Sequence, residues 1–371
     1  MRIGVPREVK VHEYRVGLTP ASVRELVAHG HEVVVERGAG AGIGASDSVY
    51  ERAGARIAAD AAEVWAQAEL IVKVKEPQGA ERALLRAGQV LFTFLHLAPD
   101  PQQAKDLVAS GAVCIGYETV TGPGGRLPLL APMSEVAGRM SVQAGARCLE
   151  KEVGGMGILL GGVPGVPPAK ITILGAGVVG AHAAQIAAGT GARVVVLDRN
   201  VEALRRLEAM LGARVVTVYS NQETVEAHVL SADLVIGAVL VPGAATPKLI
   251  ARALVAKMKP GSAIVDVSVD QGGCAETSRP TTHAEPTYLV DGVVHYCVAN
   301  MPGAVPRTST YALNHATLPF VLALADKGWR RALADDPHLR AGLNVCAGRI
   351  TCREVAEALG AAYTEPERCL G

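Results

Sequence analysis

The chain carries the sequence KITILGAGVVG at residues 170–180 and VVVLD at residues 194–198. The first run predicts a buried strand that leads into Gly175, Gly177 and Gly180, which have G-x-G-x-x-G spacing, and then into an alanine-rich helix. In such a βαβ unit the first glycine allows a tight turn, the second lets the backbone approach a pyrophosphate, and the third lets the helix pack on the strand. Because the helix start also offers N–H groups and a positive dipole end, the stretch predicts a dinucleotide site.

The second strand of this unit ends on Asp198, where a carboxylate would accept hydrogen bonds from the ribose diol of the cofactor. Such a carboxylate favours NAD, because it would repel the 2′-phosphate of NADP. The neighbouring Arg199 weakens this preference, since its guanidinium could pair with that phosphate. The sequence therefore predicts NAD and leaves the margin over NADP open.

Bulk composition argues against several classes of protein. The 371 residues suffice for two domains, and a formal net charge of zero gives no attraction to nucleic acid or anionic lipid. Aromatic residues make up only 4% of the chain, which argues against surfaces that stack bases. Residues 171–192 carry no charged side chain, but their glycines and polar residues favour a strand, turn and helix over a membrane span.

The seven cysteines contain no C-x-x-C pair. This spacing predicts reduced thiols, with neither a disulfide framework nor a metal site. The N-terminal sequence MRIGVPRE has no apolar signal segment. We therefore expect a cytoplasmic protein.

Apolar runs alternate with helical segments along most of the chain, which predicts α/β domains whose parallel sheets are covered on both faces. A helix from Pro132 to about Val153 would lead into the nucleotide-binding domain, and a helix at 308–324 would carry the chain back. We predict two Rossmann-like domains with parallel sheets, separated by a cleft and linked by long helices. Residues 1–131 plus 308–371 would bind the substrate, and residues 132–307 would bind NAD.

Polar side chains follow three predicted strands, at the edge where ligands bind in open parallel sheets. They are Lys75 after 70–74, His96 after 90–95 and Asp270 after 263–269. Arg15 lies in a polar loop after the first strand. Each of these four residues alone is also compatible with a structural role, so their positions do not decide between catalysis and structure.

Motifs along the chain resemble those of the alanine dehydrogenase family, which is related to the nucleotide-binding subunit of proton-translocating transhydrogenase. The motifs are MRIGVPRE at 1–8, EYRVGLTP at 13–20, VKVKEP at 72–77, FLHLA at 94–98, APMSEVAG at 131–138, GGVPGV at 161–166, DVSVDQGG at 266–273 and VANMPGAVP at 298–306. The resemblance implies oxidative deamination of L-alanine by NAD to pyruvate and ammonium, the reverse amination, and a homohexameric assembly.

The resemblance also implies the residues that act. Arg15 and Lys75 match the binders of the substrate carboxylate and carbonyl, and His96 and Asp270 match the catalytic pair. The chemistry agrees, because arginine can grip a carboxylate with two hydrogen bonds and imidazole transfers protons near neutral pH.

Cofactor-binding residues follow from the same resemblance. They are Ser134, Gly175, Gly177, Val178, Val179, Gly180, Asp198, Ser220, Val239, Leu240, Arg279, Val298, Asn300 and Met301. Met133 would also approach the cofactor. Relatives often have a lysine at the position of Ala203, so that contact on the adenosine side is missing here.

Three alternatives stay open. A transhydrogenase subunit or a non-catalytic NAD-sensing module would bind the same cofactor, but neither needs an amino-acid pocket. The combination of Arg15, Lys75 and His96 therefore speaks against both. A related enzyme for a larger amino acid, or one forming an opine-type product, is the third.

Overall fold

The computed structural model describes residues 1–239 and 246–370. The chain divides into two compact units: unit 1 contains residues 1–133 and Gly303 onward, and unit 2 contains Ser134–Pro302. The strands are β1 Arg2–Val5, β2 Glu32–Glu36, β3 Arg56–Ala58, β4 Leu70–Val72, β5 Val90–Thr93, β6 Val113–Gly116, β7 Lys170–Leu174, β8 Arg193–Asp198, β9 Val215–Tyr219, β10 Leu234–Gly237, β11 Ala263–Asp266, β12 Thr287–Val290, β13 Val293–Tyr296, β14 Leu343–Cys346 and β15 Arg349–Ile350.

Helices lie between most of these strands. They are α1 Pro20–Ala28, α2 Asp47–Arg52, α3 Ala61–Gln67, α4 Gly79–Arg82, α5 Pro101–Ser110, α6 Ala131–Cys148, α7 Val178–Gly189, α8 Val201–Leu211, α9 Gln222–Ser231, α10 Arg252–Val255, α11 Pro306–Lys327, α12 Trp329–Asp335, α13 Pro337–Arg340 and α14 Arg353–Leu359. The predicted helix from Pro132 thus ends before Val153, and residues Lys151–Val153 form a separate 3₁₀ turn.

Unit 1 contains an eight-stranded sheet in the order β15-β14-β6-β5-β4-β1-β2-β3. Strands β1 to β6 are parallel, whereas β14 and β15 are antiparallel to their neighbours. Unit 2 contains a seven-stranded sheet in the order β12-β13-β11-β10-β7-β8-β9, which is parallel except for β12. Both sheets have the Rossmann strand order, so the predicted α/β class is confirmed, and the order reverses between β1 and β4 and between β7 and β10.

Antiparallel strands, which the sequence analysis did not predict, extend both sheets at one edge. The edge strands form two hairpins, β12–β13 and β14–β15, which are joined by the residue pairs Asp291-Gly292 and Ala347-Gly348. All four of these turn residues have positive φ, which is the backbone that two-residue hairpin turns require. The Asp-Gly pair was a local signal for the first hairpin in the sequence, whereas the short apolar runs around the second turn gave none.

The core of unit 2 lies on both faces of its sheet. Alternate side chains of β7 and β8, such as Ile173 and Val196, pack with α7 and α8 on one face. The intervening ones, such as Leu174 and Val195, pack with α9 and α10 on the other. Because both faces are buried, the strands are almost continuously apolar, which explains why they could be recognised from the sequence.

Candidate functional site

In unit 1, the residues predicted to bind the substrate lie at the carboxyl ends of the parallel strands. Both β4 and β5 end two residues earlier than predicted, so Lys75 and His96 belong to the loops that leave the sheet. The loop after β1 reaches the same edge. There the backbone of Gly17 packs so closely on β4 that a Cβ would lie 2.2 Å from the carbonyl oxygen of Val72. Arg15, two residues earlier, is thereby brought beside the end of β4.

Arg15 is buried against a carboxylate. Its Nε and Nη2 atoms donate to the two carboxylate oxygens of Glu13 at 2.6 and 2.5 Å. Its Nη1 atom lies 3.0 Å from the sulfur of Met133. This bidentate pairing fixes the plane of the guanidinium, which is the group that recognises a planar carboxylate.

The two lysines of the VKVKEP motif have different environments. Lys73 is fully buried, with its Nζ atom 3.0 Å from Glu8 and 2.8 Å from Glu81. Lys75 is partly buried, with its Nζ atom 3.9 Å from Glu76. Burial alone would raise the pKa of Glu76, but nearby ammonium groups, first that of Lys75, lower it. Glu76 therefore carries a negative charge beside Lys75.

His96 has a left-handed backbone and an exposed imidazole. Its φ angle is 49°, in a region that most side chains avoid. Its N–H donates to Glu118 at 2.6 Å, and the N–H of Leu95 donates to the same carboxylate. The imidazole stacks on Phe94 with 2° between the ring planes. These contacts hold the ring in place while leaving it exposed to solvent.

In unit 2, the glycine-rich turn has the geometry that the sequence predicts. Gly175 has a φ of 107°, and a Cβ on it would lie 2.6 Å from the carbonyl oxygen of Ala238, after β10. A Cβ on Gly180 would lie 1.8 Å from the carbonyl oxygen of Gly175. A Cβ on Gly177 would meet no atom within 4 Å. The first and third glycines are therefore required by packing, whereas the second borders open space at the start of α7.

Asp198 holds the same turn at the end of β8. One carboxylate oxygen accepts the N–H of Ala176 at 2.6 Å, and the other accepts the N–H of Asn200 at 2.7 Å. Because each carboxylate oxygen has two lone pairs, further hydrogen bonds to a ligand remain possible. Arg199 is exposed beside it.

The predicted strand before Asp270 is too long. The strand β11 ends at Asp266, and Val267–Gln271 form a 3₁₀ turn that carries Asp270 on the surface. The buried carboxylate of Asp266 ends the strand, since it accepts the N–H of Cys274 at 2.7 Å and the hydroxyl of Ser278 at 2.6 Å. Asp270 therefore lies within a capped turn and not directly after a strand.

An ammonium group closes the other side of this turn. Lys248 donates from Nζ to the carbonyl oxygens of Gly272, Gly273 and Ala275, the last two at 3.0 and 3.2 Å. Asp266 thus accepts from N–H groups of the segment that follows Asp270, and Lys248 donates to its carbonyl groups. Opposite charges fix this segment from two sides.

The other predicted cofactor residues lie mostly at the carboxyl edge of the same sheet. Ser220 donates its N–H to the carbonyl of Asp198, and the carbonyl of Val239 accepts the hydroxyl of Ser268 at 2.7 Å. Val179 lies under α6, because a Cβ on Gly138 would be 2.2 Å from its carbonyl oxygen. Ser134 is four residues before Gly138, on the same face of α6.

Four further predicted residues lie beyond β11. Arg279 has its guanidinium 4.1 Å above the ring centre of Tyr288, a contact that the sequence did not indicate. Val298 and Met301 are buried in the core, and Asn300 has a positive φ and accepts from His283 through its carbonyl. Val178 is half-exposed at the start of α7. Leu240 lies outside the described residues.

Comparison with known proteins gives the same family along the whole chain. The family model for the N-terminal domain of alanine dehydrogenase/PNT matches residues 4–137, and the model for the C-terminal domain matches residues 141–353. The chain is 62% identical over its full length to an alanine dehydrogenase from Halomonas elongata, which is covered completely. The chain belongs to the alanine dehydrogenase family.

Solved structures distinguish the two branches of this family. An L-alanine dehydrogenase matches with a TM-score of 0.94 and 53% identity, covering 97% of this chain and 99% of its own. A transhydrogenase from Sinorhizobium meliloti matches with a TM-score of 0.80 and 26% identity, covering 95% and 99%. The alanine dehydrogenase branch is therefore favoured over the transhydrogenase alternative.

Sequence reasoning missed the acidic residues that support the family's predicted site residues. Glu13 pairs with Arg15, Glu118 binds the backbone of His96, and Asp266 caps the turn of Asp270. Glu118 follows β6 by two residues, so the strand-end rule that found His96 could also have found Glu118. Among the described residues, no three His, Cys, Asp or Glu side chains are grouped to hold a metal ion. Within that same part of the chain, no helix has the length and apolar character to span a membrane.

Proposed function

We propose that the chain catalyses the NAD-dependent oxidative deamination of L-alanine to pyruvate and ammonium, and the reverse reductive amination. The observation that carries the proposal is the 62% identity to an alanine dehydrogenase over all of both chains. The presence of Arg15, Lys75, His96 and Asp270 also supports the proposal, because the chemistry of each side chain suits one step of this reaction.

Arg15 and Lys75 bind the substrate in this proposal. The guanidinium of Arg15, held by Glu13, grips the carboxylate of alanine or pyruvate. The ammonium of Lys75 donates to the carboxylate or to the pyruvate carbonyl, which polarises that carbonyl for attack by ammonia.

When bound, NAD supplies the acceptor for the hydride of the alanine Cα, and NADH supplies the donor in the reverse direction. Water then adds to the iminium carbon of the substrate. His96 takes a proton from this water and gives one back as ammonia departs, which are the proton transfers that an imidazole side chain carries out. The carboxylate of Asp270 binds the amino group and stabilises its positive charge.

The residues of the glycine turn fit a dinucleotide. The open space beside Gly177 admits a pyrophosphate to the start of α7, where a side chain would exclude it. Asp198 binds the ribose diol, with the remaining cofactor residues named above around the adenine and nicotinamide. Its carboxylate favours NAD over NADP, and Ala203 adds no cation there.

The test is formation of NADH from NAD and L-alanine at alkaline pH, where release of a proton draws the reaction forward. We expect turnover with L-alanine to exceed that with larger or acidic amino acids. A folded protein that binds NADH but shows no alanine-dependent turnover would contradict the proposal and favour the NAD-sensing alternative.

Two further proposals rest on the family resemblance alone. We propose that the chain assembles into homohexamers and works in the cytoplasm. Light scattering that gives a mass other than that of six 38.4 kDa chains would refute the first.

A further inference from the structure

The segment 73–75, which carries Lys75, has a hydrogen-bond partner for every backbone N–H and C=O group. On one side the partners come from β5, β6 and the residues that follow them. They are Phe92 O for Lys73 N–H at 3.2 Å, Phe94 N–H for Val74 O at 3.2 Å, Tyr117 Oη for Lys73 O at 2.9 Å and Thr93 Oγ1 for Lys75 O at 2.9 Å. The segment, which leaves the sheet after β4, is thus held on this side by β5 and by the residues that follow β5 and β6.

On the other side a side chain replaces the missing strand. The strand β1 ends at Val5 and is followed by Pro6, and the last residue pair that joins it to β4 is Gly4 with Ile71. Glu8 fills this gap, because its Oε1 atom accepts the N–H of Val74 at 2.7 Å and that of Lys75 at 3.3 Å. A single carboxylate oxygen therefore accepts both N–H groups that follow the end of β4.

Buried charges fix this carboxylate. The other oxygen of Glu8 lies 3.0 Å from Nζ of Lys73, which in turn lies 2.8 Å from Oε1 of Glu81. Oε2 of Glu81 accepts the N–H of Gln78 at the start of α4. All three side chains are at most 4% exposed. Both oxygens of Glu8 therefore have partners, and its side chain is buried.

We propose that Glu8 is a positioning residue for substrate binding: it sets the backbone from which Lys75 reaches the keto acid. This inference rests on the proposed function, in which Lys75 contacts the carboxylate or carbonyl of pyruvate. Within the buried triad of Glu8, Lys73 and Glu81, Glu8 is the member that is hydrogen-bonded to the segment 74–75. Glu81 contacts Lys73 and the backbone of Gln78.

The substitution Glu8→Gln keeps the size of the side chain but cannot keep both contacts of the carboxylate. A carboxamide has one acceptor and one NH₂ donor, so it cannot both accept from the backbone N–H groups and accept from the lysine ammonium. Glu81→Gln removes the other carboxylate charge beside Lys73, whose Nζ atom lies 2.8 Å from Oε1 of Glu81. The two variants therefore remove one charge each from the same triad at the same burial, and only Glu8→Gln loosens the backbone of Lys75.

The experiment measures reductive amination with saturating NADH and ammonium while pyruvate is varied. For Glu8→Gln we expect the KM for pyruvate to rise about tenfold or more, as the loss of a charge-assisted hydrogen bond predicts. The Kd for NADH should not change. Glu81→Gln should lower the melting temperature by about as much as Glu8→Gln does. It should leave the KM for pyruvate within about twofold of the parent value. Glu8→Asp keeps the charge, so its KM for pyruvate should lie between that of the parent chain and that of Glu8→Gln.

A Lys75→Ala background tests whether the effect passes through Lys75. Adding Glu8→Gln to it should raise the KM for pyruvate no further. An unchanged KM in folded Glu8→Gln, an equal rise in Glu81→Gln, or a further rise in the double variant would each overturn the positioning role. If Lys75→Ala raises the KM and Glu8→Gln does not, only this inference fails. If Lys75→Ala also leaves the KM unchanged, the proposed substrate role of Lys75 fails with it.

Discussion

At the scale of single residues, the predicted site side chains come from loops and are fixed by charged neighbours. Arg15 is held by Glu13, and the backbone of His96 is held by Glu118. Carboxylates suit this task, because they accept strong hydrogen bonds both from guanidinium groups and from backbone N–H groups. The left-handed φ of His96 illustrates the result, since a conformation that costs about 1–2 kcal/mol persists only where its surroundings impose it.

This backbone decides which variant tests the catalytic role of His96. Asparagine tolerates the left-handed region and cannot act as an acid or base near neutral pH. We expect His96→Asn to lower alanine turnover by about 10²–10⁴-fold, which is the usual contribution of general acid–base catalysis. Steady-state rates, NADH titration and thermal melting measure this, and the last two should change little. A parallel loss of NADH binding and stability would identify His96 as structural.

At the scale of elements, much of unit 2 could be predicted from sequence because its signals are local. The strand β7, the glycine turn and the strand β8 follow one another, and each glycine has a physical reason in the structure. Strand ends at the site were predicted poorly, because residues distant in sequence determine them. Glu8 takes over the pairing of the segment beyond β4, and Asp266 ends β11 by accepting from Cys274 and Ser278. The hydrophobic pattern within a strand does not predict such partners, because they come from other parts of the chain.

The glycine turn allows packing and cofactor binding to be separated by two matched variants. Gly177→Ala places a methyl group in open space at an ordinary φ of −70°, so we expect the melting temperature to stay unchanged. The Kd for NADH should rise about tenfold or more, because the methyl group would stand where the pyrophosphate approaches.

Gly180→Ala is the control for this test. Its Cβ would lie 1.8 Å from the carbonyl oxygen of Gly175, so α7 must move away from β7. We expect a loss of stability of about 1–3 kcal/mol, as for other overpacked sites. Fluorescence titration and thermal melting measure both variants. If Gly177→Ala bound NADH as tightly as the parent chain, the pyrophosphate would not approach this turn.

At the scale of the whole molecule, one strand order is used in two chemical ways. Each unit reverses its strand order at the first and fourth strands, but different loops leave those switch points. In unit 2 the loop is a glycine turn whose backbone faces open space. In unit 1 it is a charged loop with Glu8, Glu13 and Arg15. In our proposal the first holds a dinucleotide through backbone N–H groups, and the second holds a small carboxylate through side chains.

The seven cysteines give a prediction for the chain as a whole. All of them are free thiols; six are buried, and Cys369 is partly exposed. Burial raises the pKa of Cys148 and of Cys346 to about 12, and that of Cys352 to about 11. Burial also raises the pKa of Cys114 and Cys274. Since the thiolate is the reactive form, these thiols should be inert near neutral pH. They are shielded from the reagent, and they remain protonated.

We therefore expect Ellman's reagent at about pH 8 to modify at most one thiol per native chain, and all seven after unfolding in guanidinium. Cys369→Ser should abolish the native reaction with little change in the melting temperature, because this partly exposed residue lies near the chain end. Cys352→Ser is the matched control, which should leave the native count unchanged and lower the unfolded count by one. Rapid modification of two or more thiols in the native protein would mean that the structure around a buried cysteine opens on the timescale of the reaction.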